Sequence, residues 1–307
     1  MKTIFIINPQ AGQKKDIDKI TEEIRAASKE INATVDTYIT ECPGDGERYV
    51  RECCLSGEKT RFIACGGDGT LGEVVNGAYG FEGVEVGVIP MGTGNDFCRN
   101  FPRRDVFSDI RAQLSGKTMK CDLIRYTTNE KTRYCVNMFN IGFDCNVADM
   151  TNTMKTKPLI SGSLAYFLSI FCILVKKKGA NLKIDLDGKE IHHGPLLLIT
   201  IANGSFCGGG VKSNPGASVS DGMMDVNVVY NVSRLTFISK LPYYMKGTHT
   251  KLKNIEKIIA TFKSRKITIT PQDGMRLCID GEISDAGKTE FEIVKDGFSF
   301  VLPKAST

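Results

Sequence analysis

Two glycine-rich turns in the first hundred residues combine the groups that bind phosphate. The first turn, residues 66–72, follows the apolar stretch Phe62–Cys65 and precedes a helical pattern. A strand, a tight turn and a helix N-terminus in that order leave backbone N–H groups for an anion, and glycine lets a ligand approach the backbone. The second turn, residues 90–95, adds backbone donors, the hydroxyl of Thr93 and the amide of Asn95. Together the two turns predict a nucleotide site.

One carboxylate, Asp68, lies inside the first turn. A carboxylate would repel a bound phosphate unless a divalent cation lies between them, so we expect Mg²⁺ to bridge Asp68 and the phosphate oxygens. The alternative is a turn aspartate that accepts hydrogen bonds from its own backbone.

A second acidic pair, Asp280 and Glu282, flanks Gly281 at the end of an apolar stretch. Asp-Gly is a common hairpin turn, so from the residues alone this pair would be unremarkable. Two carboxylates around a glycine could accept the hydroxyl proton in a phosphoryl transfer to an alcohol, if other features of the chain indicate that reaction. The sequence does not decide which of the two carboxylates would act.

The elements that must position these turns alternate between strand and helix over the first 120 residues. This alternation is typical of a doubly wound α/β domain, in which loops at the carboxyl ends of parallel strands line the ligand crevice. We expect a nucleotide-binding α/β domain over residues 1–122. Its predicted strands are Thr3–Ile7, Val35–Thr40, Phe62–Cys65 and Val86–Ile89. Four helices are predicted: one that begins near Asp16, one over Glu47–Cys54, one with Thr70 as its N-cap, and one over Asp105–Leu114.

The pattern changes after residue 122. Residues 123–307 alternate in the strand period between Asp-Gly pairs, which predicts a mostly antiparallel β-sandwich. Helices are predicted at Leu159–Val175 and Ser233–Tyr244, and the sequence leaves open whether the last strand, Phe298–Leu302, returns to the first domain. The other predicted strands are Cys121–Tyr126, Arg133–Ile141, Asn181–Leu186, Leu196–Ala202, Asp225–Tyr230, Lys257–Phe262, Lys266–Thr270, Leu277–Asp280 and Phe291–Val294, with Asp-Gly turns at Asp187, Asp221, Asp273, Asp280 and Asp296.

Composition limits the class of protein. The 307 residues, 41% of them hydrophobic, provide enough core for two domains, and a net charge of +5 is too small to favour nucleic-acid binding. Eleven cysteines without CxxC spacing favour small buried hydrophobic residues over disulfides or a zinc site. The first residues show no signal-peptide pattern, so we expect a reducing, cytoplasmic environment.

GGDGTLGEVVNG at residues 66–77 and PMGTGNDFCRN at residues 90–100 together resemble the catalytic domain of diacylglycerol kinase-type lipid kinases, which include sphingosine and ceramide kinases. The resemblance covers essentially the whole chain, and the order of domains resembles the small bacterial members. It implies a Mg²⁺-dependent kinase that transfers the γ-phosphate of ATP to a lipid alcohol such as diacylglycerol. The nucleotide contacts that it implies are Asn8, Thr40, Gly66, Gly67, Asp68, Gly69, Thr70, Gly72 and Thr93.

The same resemblance assigns further acidic positions. Asp122 would join Asp68 in a shared acidic network, and the turn at Asp280 and Glu282 would face the nucleotide and supply the base. A structural Mg²⁺ would be held by one carboxylate with backbone oxygens, at Ser218, Asp221 and Met223. From the residues alone, Asp122 is equally a solvent-facing strand residue and Asp221 a plain turn.

Two other functions fit the turns. An NAD kinase would use the GGDG turn on a soluble acceptor, and a nucleotide-binding protein would keep the fold without turnover; the GTGND turn favours the lipid kinases. A lipid substrate requires a membrane surface, so we expect peripheral association with the inner face of the membrane. The apolar rim would come from Leu159–Val175 or Leu241–Met245, beside the lysines Lys176–Lys178, Lys246, Lys251 and Lys253. An exposed sheet edge would permit a homodimer.

Overall fold

The computed structural model describes residues 1–12, 17–143 and 179–304. The chain forms two compact units, which are Met1–Leu123 with Val294–Thr307 (unit 1) and Ile124–Ile293 (unit 2). Two long strands, β5 (Lys117–Thr128) and β15 (Thr289–Leu302), carry the chain from unit 1 into unit 2 and back.

Unit 1 is built on a parallel sheet. Its strands lie in the order β2–β1–β3–β4, and Phe300 of β15 pairs with Val86 at the free edge of β4. Because β1 has β2 on one side and β3 on the other, the connections diverge after β1 and β3, where such sheets bind ligands. The strands are β1 (Lys2–Ile7), β2 (Val35–Ile39), β3 (Thr60–Gly66) and β4 (Val84–Pro90).

Helices cover this sheet and confirm the predicted α/β fold. Ile20 and Ile24 of the first helix pack in one buried cluster with Phe5 and Ile63 of the strands. Burial of such side chains is the main stabilising contribution, about 1.5–3 kcal/mol for each. The helices are α1 (Ile17–Glu30), α2 (Asp45–Cys54), α3 (Asp68–Ala78) and α4 (Ile110–Leu114).

Two helix boundaries in unit 1 differ from the prediction. Helix α3 begins at Asp68 with Gly67 as its N-cap, so Thr70 is its third residue and not its cap. The helix predicted over Asp105–Leu114 is interrupted, since a 3₁₀ turn at Arg104–Ser108 precedes α4. The carboxylate of Asp109 accepts hydrogen bonds from the first turn of α4 and starts a new helix there.

Unit 2 is antiparallel and confirms the predicted β-sandwich. The carboxyl half of its longest strand, β9 (Lys189–Ala202), lies between β7 (Met138–Gly142) and β10 (Met224–Tyr230), and the amino half pairs with β8 (Ala180–Leu186). Alternate residues of these strands fill one buried cluster. The remaining strands are β6 (Lys131–Cys135), β11 (Ile259–Ser264), β12 (Lys266–Pro271), β13 (Met275–Ile279) and β14 (Glu282–Ala286).

Some strand predictions in unit 2 were wrong. The strand predicted over Arg133–Ile141 is divided into β6 and β7, and β14 was not predicted. The Asp-Gly pair at Asp296 does not end a strand but lies within β15, where Asp296 has a φ of 55°. Lys257 belongs to the 3₁₀ turn Ile255–Lys257, ahead of β11.

One helix of unit 2 lies within the described residues, α5 (Arg234–Met245), and Ser233 caps it by accepting a hydrogen bond from the Thr236 N–H. The helix predicted at Leu159–Val175, the adjacent Lys176–Lys178 and the predicted helix start at Asp16 fall outside the described residues. Over residues 1–12, 17–143 and 179–304, no helix has the length and hydropathy needed to cross a bilayer.

Candidate active site

Three loops meet at the carboxyl edge of the unit 1 sheet. They follow β1, β3 and β4 and contain residues 8–12, 67–68 and 91–96. The sheet register places Ile7 beside Cys65 and Gly66 beside Pro90, so the three loops leave the sheet at the same level. This edge carries most of the residues for which nucleotide contact was predicted.

Asn8 joins the first loop to the start of α3. Its backbone N–H donates to the Cys65 carbonyl at 3.0 Å, and its side-chain amide donates to the Thr70 hydroxyl, also at 3.0 Å. The other amide atom, Oδ1, accepts from the Gln10 N–H at 2.9 Å and shapes the loop. The structure thus brings together two predicted nucleotide contacts, Asn8 and Thr70.

Glycine is required where the two glycine-rich turns contact each other. The N–H groups of Met91 and Gly92 both donate to the Gly66 carbonyl, at 2.8 and 3.3 Å. A Cβ at Gly92 would lie 2.5 Å from the Gly67 Cα, and one at Gly66 would lie 2.2 Å from the Thr70 Oγ1. A larger residue at Gly92 would push the two turns apart, and one at Gly66 would displace the Thr70 side chain, so these glycines preserve the packing of the turns.

The second turn is held by its own side chains. The Asn95 amide accepts from the Gly92 N–H at 3.0 Å and donates to the Gly92 carbonyl at 2.7 Å. The Arg99 guanidinium donates to the Gly94 carbonyl at 3.1 Å. Asn95 therefore shapes the turn, while Thr93 in the same turn is exposed.

The Asp68 carboxylate binds the backbone of the second turn. Its two oxygens accept from the Asp96 and Phe97 N–H groups, each at 3.1 Å. Burial raises the pKa of Asp68, although these backbone N–H groups act in the opposite direction. Oxygen-only donors of this kind suit Mg²⁺, which binds to one or two carboxylates and completes its shell with substrate phosphates and water.

Asp96 was missed by the sequence analysis. It is buried. A Cβ on Gly94 would lie 3.1 Å from Asp68 Oδ2 and 3.3 Å from Asp96 Oδ2, so both carboxylates lie beside Gly94. Arg99 Nε lies 3.2 Å from Asp96 Oδ1. The sequence feature that could have identified Asp96 is its position as the acidic residue of the GTGND turn. Within the described parts of the chain, no cluster of three or more metal-ligating side chains occurs.

Thr40 and the helical glycines contribute less to the shape of this edge. Thr40 is buried after β2, and both its N–H (2.9 Å) and its hydroxyl (3.4 Å) donate to the Ile7 carbonyl. Gly69 and Gly72 lie in the first turns of α3, and a Cβ at Gly72 would meet no atom within 4 Å. Packing therefore does not require glycine at position 72.

Asp122 is an interior residue of β5 and not a solvent-facing one, as it is 0% exposed. Its Oδ1 accepts from the Asp296 N–H at 2.9 Å. Because Asp296 has left-handed backbone, this bond stabilises the distortion inside β15. Membership of an acidic network with Asp68 stays a prediction.

In unit 2, Asp280 and Gly281 form the two-residue turn between β13 and β14, and both have the positive φ that a type I′ turn requires. The Asp280 carboxylate accepts from the Met138 N–H at 2.8 Å and from the Cys135 thiol at 3.2 Å. Burial, together with Asp280, raises the pKa of the Cys135 thiol, which therefore stays protonated as a donor. Glu282, the first residue of β14, is exposed.

The predicted structural magnesium position contains an ion pair. Lys263 Nζ lies 2.7 Å from Asp221 Oδ2 and 3.1 Å from Asp225 Oδ2, while Asp221 Oδ1 accepts from the Met223 N–H at 3.1 Å. Asp221 thus already has a cation beside it. A cation held by Asp221 fits only if Lys263 moves away, so this second Mg²⁺ stays a prediction.

Comparison with known proteins identifies two family profiles along the chain. Residues 2–126 match the family profile of the diacylglycerol kinase catalytic domain, and residues 137–300 match the profile described as the YegS C-terminal NAD kinase beta sandwich-like domain. Such a pair of domains defines a kinase of the lipid kinase class. The chain belongs to the diacylglycerol kinase family.

Relatives match over nearly the whole chain. A diacylglycerol kinase of Bacillus subtilis is 29% identical, with 98% of this chain and 96% of the relative aligned, and one of Staphylococcus epidermidis is 31% identical over 98% and 92%. A crystal structure of a diacylglycerol kinase from Bacillus anthracis superimposes with a TM-score of 0.72 at 20% identity, covering 100% of this chain and 98% of that one. The latter similarity supports the fold alone.

Proposed function

We propose that this protein is a Mg²⁺-dependent kinase that transfers the γ-phosphate of ATP to the hydroxyl of a lipid alcohol, with diacylglycerol as the first candidate. The observation that carries this proposal is the junction of the two glycine-rich turns after β3 and β4, with Asp68 bonded across it. Membership of the family supports a kinase, and the names of the relatives support diacylglycerol as the acceptor.

The unit 1 edge would bind the nucleotide. The N-terminus of α3 offers backbone N–H groups and the positive end of the helix dipole to the phosphates. Thr70, oriented by Asn8, and Thr93, exposed at its turn, would add hydroxyl donors. The other residues that we propose to contact the nucleotide are Thr40, Gly66, Gly67, Gly69 and Gly72.

Mg²⁺, when bound, would neutralise charge on the phosphate oxygens, and Asp68 is the residue that would hold it. The backbone N–H groups of Asp96 and Phe97 fix the orientation of the Asp68 carboxylate. Asp122, buried in the same unit, would stabilise the backbone of β15 and contribute negative charge.

The turn at Asp280 and Glu282 would supply the general base. Asp280 is fixed by the Met138 N–H and the Cys135 thiol, whereas Glu282 is exposed, so we assign proton acceptance to Glu282 and positioning of the turn to Asp280. In the reaction, the acceptor oxygen forms a bond to the γ-phosphorus as its proton passes to the carboxylate. The bond from the γ-phosphorus to the bridging oxygen breaks, and ADP leaves.

An NAD kinase remains the second candidate, favoured by one observation: the profile that matches residues 137–300 is named after the NAD kinase sandwich. NAD would replace the lipid as acceptor, and the nucleotide edge would be used in the same way. A lipid acceptor additionally requires the enzyme to act at a membrane surface, which we include in the proposal.

The test is transfer of label from [γ-³²P]ATP with Mg²⁺ in detergent micelles that contain diacylglycerol, beside a reaction with soluble NAD. We expect label in the lipid phase, and loss of at least 10²-fold of the rate in Asp68→Ala because an electrostatic contribution to phosphoryl transfer is removed. Asp105→Ala, at an exposed acidic residue of the same unit, is the matched control. Label in NAD alone would assign the protein to the second candidate, and nucleotide binding without transfer to diacylglycerol, to other lipid alcohols or to NAD would refute both.

A further inference from the structure

Helix α5 has two apolar faces. Phe237, Leu241 and Tyr244 point into a cluster with Val229 and Ile259 beneath the helix. A helix in a globular protein normally has one apolar stripe and a polar outer face, and a helix that is apolar all round normally has partners on both sides. The outer face of α5 therefore requires an explanation.

That outer face exposes large apolar side chains. Leu235 is 80% exposed, Ile238 50% and Tyr243 45%, and the exposed Pro242 lies between the last two. Ile238, Pro242 and Tyr243 follow Leu235 by three, seven and eight residues, and this spacing places them along one side of the helix. Of the seven exposed large hydrophobic residues in the described chain, three lie on this face, so the clustering marks an interaction surface.

The surroundings of this face are basic. Residues 233–257 contain six lysine and arginine residues and one acidic residue, Glu256. Exposed among the described side chains are Lys246, Lys251, Lys253 and Lys257. A partner that fits must therefore bury an apolar stripe and carry negative charge around it.

The platform below α5 is firmly packed. The Phe143 and Phe237 rings lie 4.8 Å apart, and the carbonyl of Met245 at the end of the helix accepts from the Lys212 N–H at 2.9 Å. The side chains on the outer face therefore project from a fixed helix and need no folding step to bind. Twelve residues make α5 about 18 Å long, too short to span a bilayer, so it would lie in the plane of the surface.

We propose that the outer face of α5 is a docking surface for an anionic lipid bilayer. Leu235, Ile238 and Tyr243 insert between the headgroups, and the lysines contact acidic lipids. The proposal rests on the proposed function in that an enzyme for a lipid alcohol must reach a bilayer. It also replaces part of the rim predicted from sequence, because Leu241 and Tyr244 of the segment Leu241–Met245 pack inward.

The experiment is sedimentation of the full chain with sucrose-loaded vesicles of phosphatidylcholine alone or with one-third phosphatidylglycerol. We expect binding to the anionic vesicles and about a tenfold or greater loss in the double variant Leu235→Ser/Ile238→Ser. Leu55→Ser, which removes another leucine that is 73% exposed, is the matched control. Lys246→Gln should reduce binding to anionic vesicles about fivefold, and the reduction should shrink at high salt.

Kinase activity is measured in parallel on a dispersed short-chain diacylglycerol in detergent. Normal activity of the double variant with lost vesicle binding supports the proposal, and vesicle binding without any kinase activity refutes only the proposed function. Equal vesicle binding by the double variant and the wild type, or no binding by the wild type, overturns the docking surface. A dimer that dissociates in the double variant while vesicle binding is unchanged would assign the face to a second copy of the chain, which also overturns it.

Discussion

The side-chain amide of Asn8 donates to the hydroxyl of Thr70 across 3.0 Å, and this bond connects the loop after β1 with the first turn of α3. The two residues are 62 positions apart in the chain. Their contact lies where the connections of the sheet diverge, and it fixes the hydroxyl that we propose for nucleotide binding.

Replacement of Asn8 by alanine should weaken ATP binding about three- to tenfold. The variant loses one partly buried hydrogen bond, worth about 0.5–1.5 kcal/mol, and leaves the Thr70 hydroxyl unoriented. Isothermal titration calorimetry with ADP measures the change. Gln10→Ala, at an exposed residue of the same loop, is the control, and an unchanged affinity in Asn8→Ala would show that the bond has no role in binding.

The two carboxylates of the β13–β14 turn should behave differently. Glu282→Gln should lower kcat about 10²- to 10⁴-fold with ATP affinity unchanged, because it removes the proton acceptor. Asp280→Asn should lower thermal stability and reduce kcat less, because it disturbs the bonds to the Met138 N–H and the Cys135 thiol. Steady-state kinetics and thermal unfolding of both variants decide the assignment. Full loss of turnover in Asp280→Asn with normal stability would make Asp280 the base.

Removal of divalent metal should leave the stability of the ligand-free protein unchanged. We expect Lys263, which lies between Asp221 and Asp225, to balance their charge in place of a divalent cation, so that EDTA withdraws none there. Lys263→Met should reduce stability by about 1–2 kcal/mol, as the buried Asp225 loses its partner. Millimolar Mg²⁺ should restore part of this loss. A fall in the melting temperature of the wild type with EDTA would instead support the predicted metal site.

Acid should destabilise the region around α5. His249 is 1% exposed beside Tyr244, with ring centroids 5.2 Å apart, and burial lowers its pKa. When the pKa of a histidine is lower in the folded state, the unfolded chain binds the proton at a higher pH than the folded chain does. Its stabilising contribution is therefore complete above about pH 6.5 and is lost as the pH falls through the lowered value.

Urea unfolding at pH 7.5 and pH 5.5 measures this contribution. The free energy of unfolding should fall at pH 5.5 in the wild type and fall less in His249→Phe, which keeps a ring but cannot bind a proton. His193→Gln, at an exposed histidine, is the matched control. A parallel pH dependence in His249→Phe and the wild type would contradict the interpretation.

The overall fold was predictable because the spacing of hydrophobic residues differs between the two halves of the sequence. Alternation of strands with amphipathic helices indicated the α/β domain, and the two-residue period indicated the sandwich. The first and last residues of individual helices and strands were less predictable. Threonine is a common N-cap residue, yet the helix already begins after Gly67, three residues before Thr70. The Thr70 hydroxyl instead accepts a hydrogen bond from the Asn8 amide. Tertiary contacts of this kind leave no local signal.

The same limit applies to the site. The glycines of the two turns were identified because few other residues suit such turns, but their contact through Gly67 and Gly92 depends on strand register. Asp296 precedes a glycine and reads as a turn, whereas the buried carboxylate of Asp122 holds it within a strand. Which acidic residues are buried, and against which backbone, follows from the sheet and not from the sequence pattern.

Phe300 of β15 is fully buried in unit 1, where its ring lies 5.0 Å from that of Phe97 and 5.9 Å from that of Phe107. The ribosome therefore delivers the last core side chains of the first unit, Phe298, Phe300 and Val301, only after all of Ile124–Ile293 has been made. Domains usually fold in the order in which they emerge during synthesis. Here the second unit can complete its core while the first still lacks β15, so the two units would finish folding in the reverse of their order along the chain.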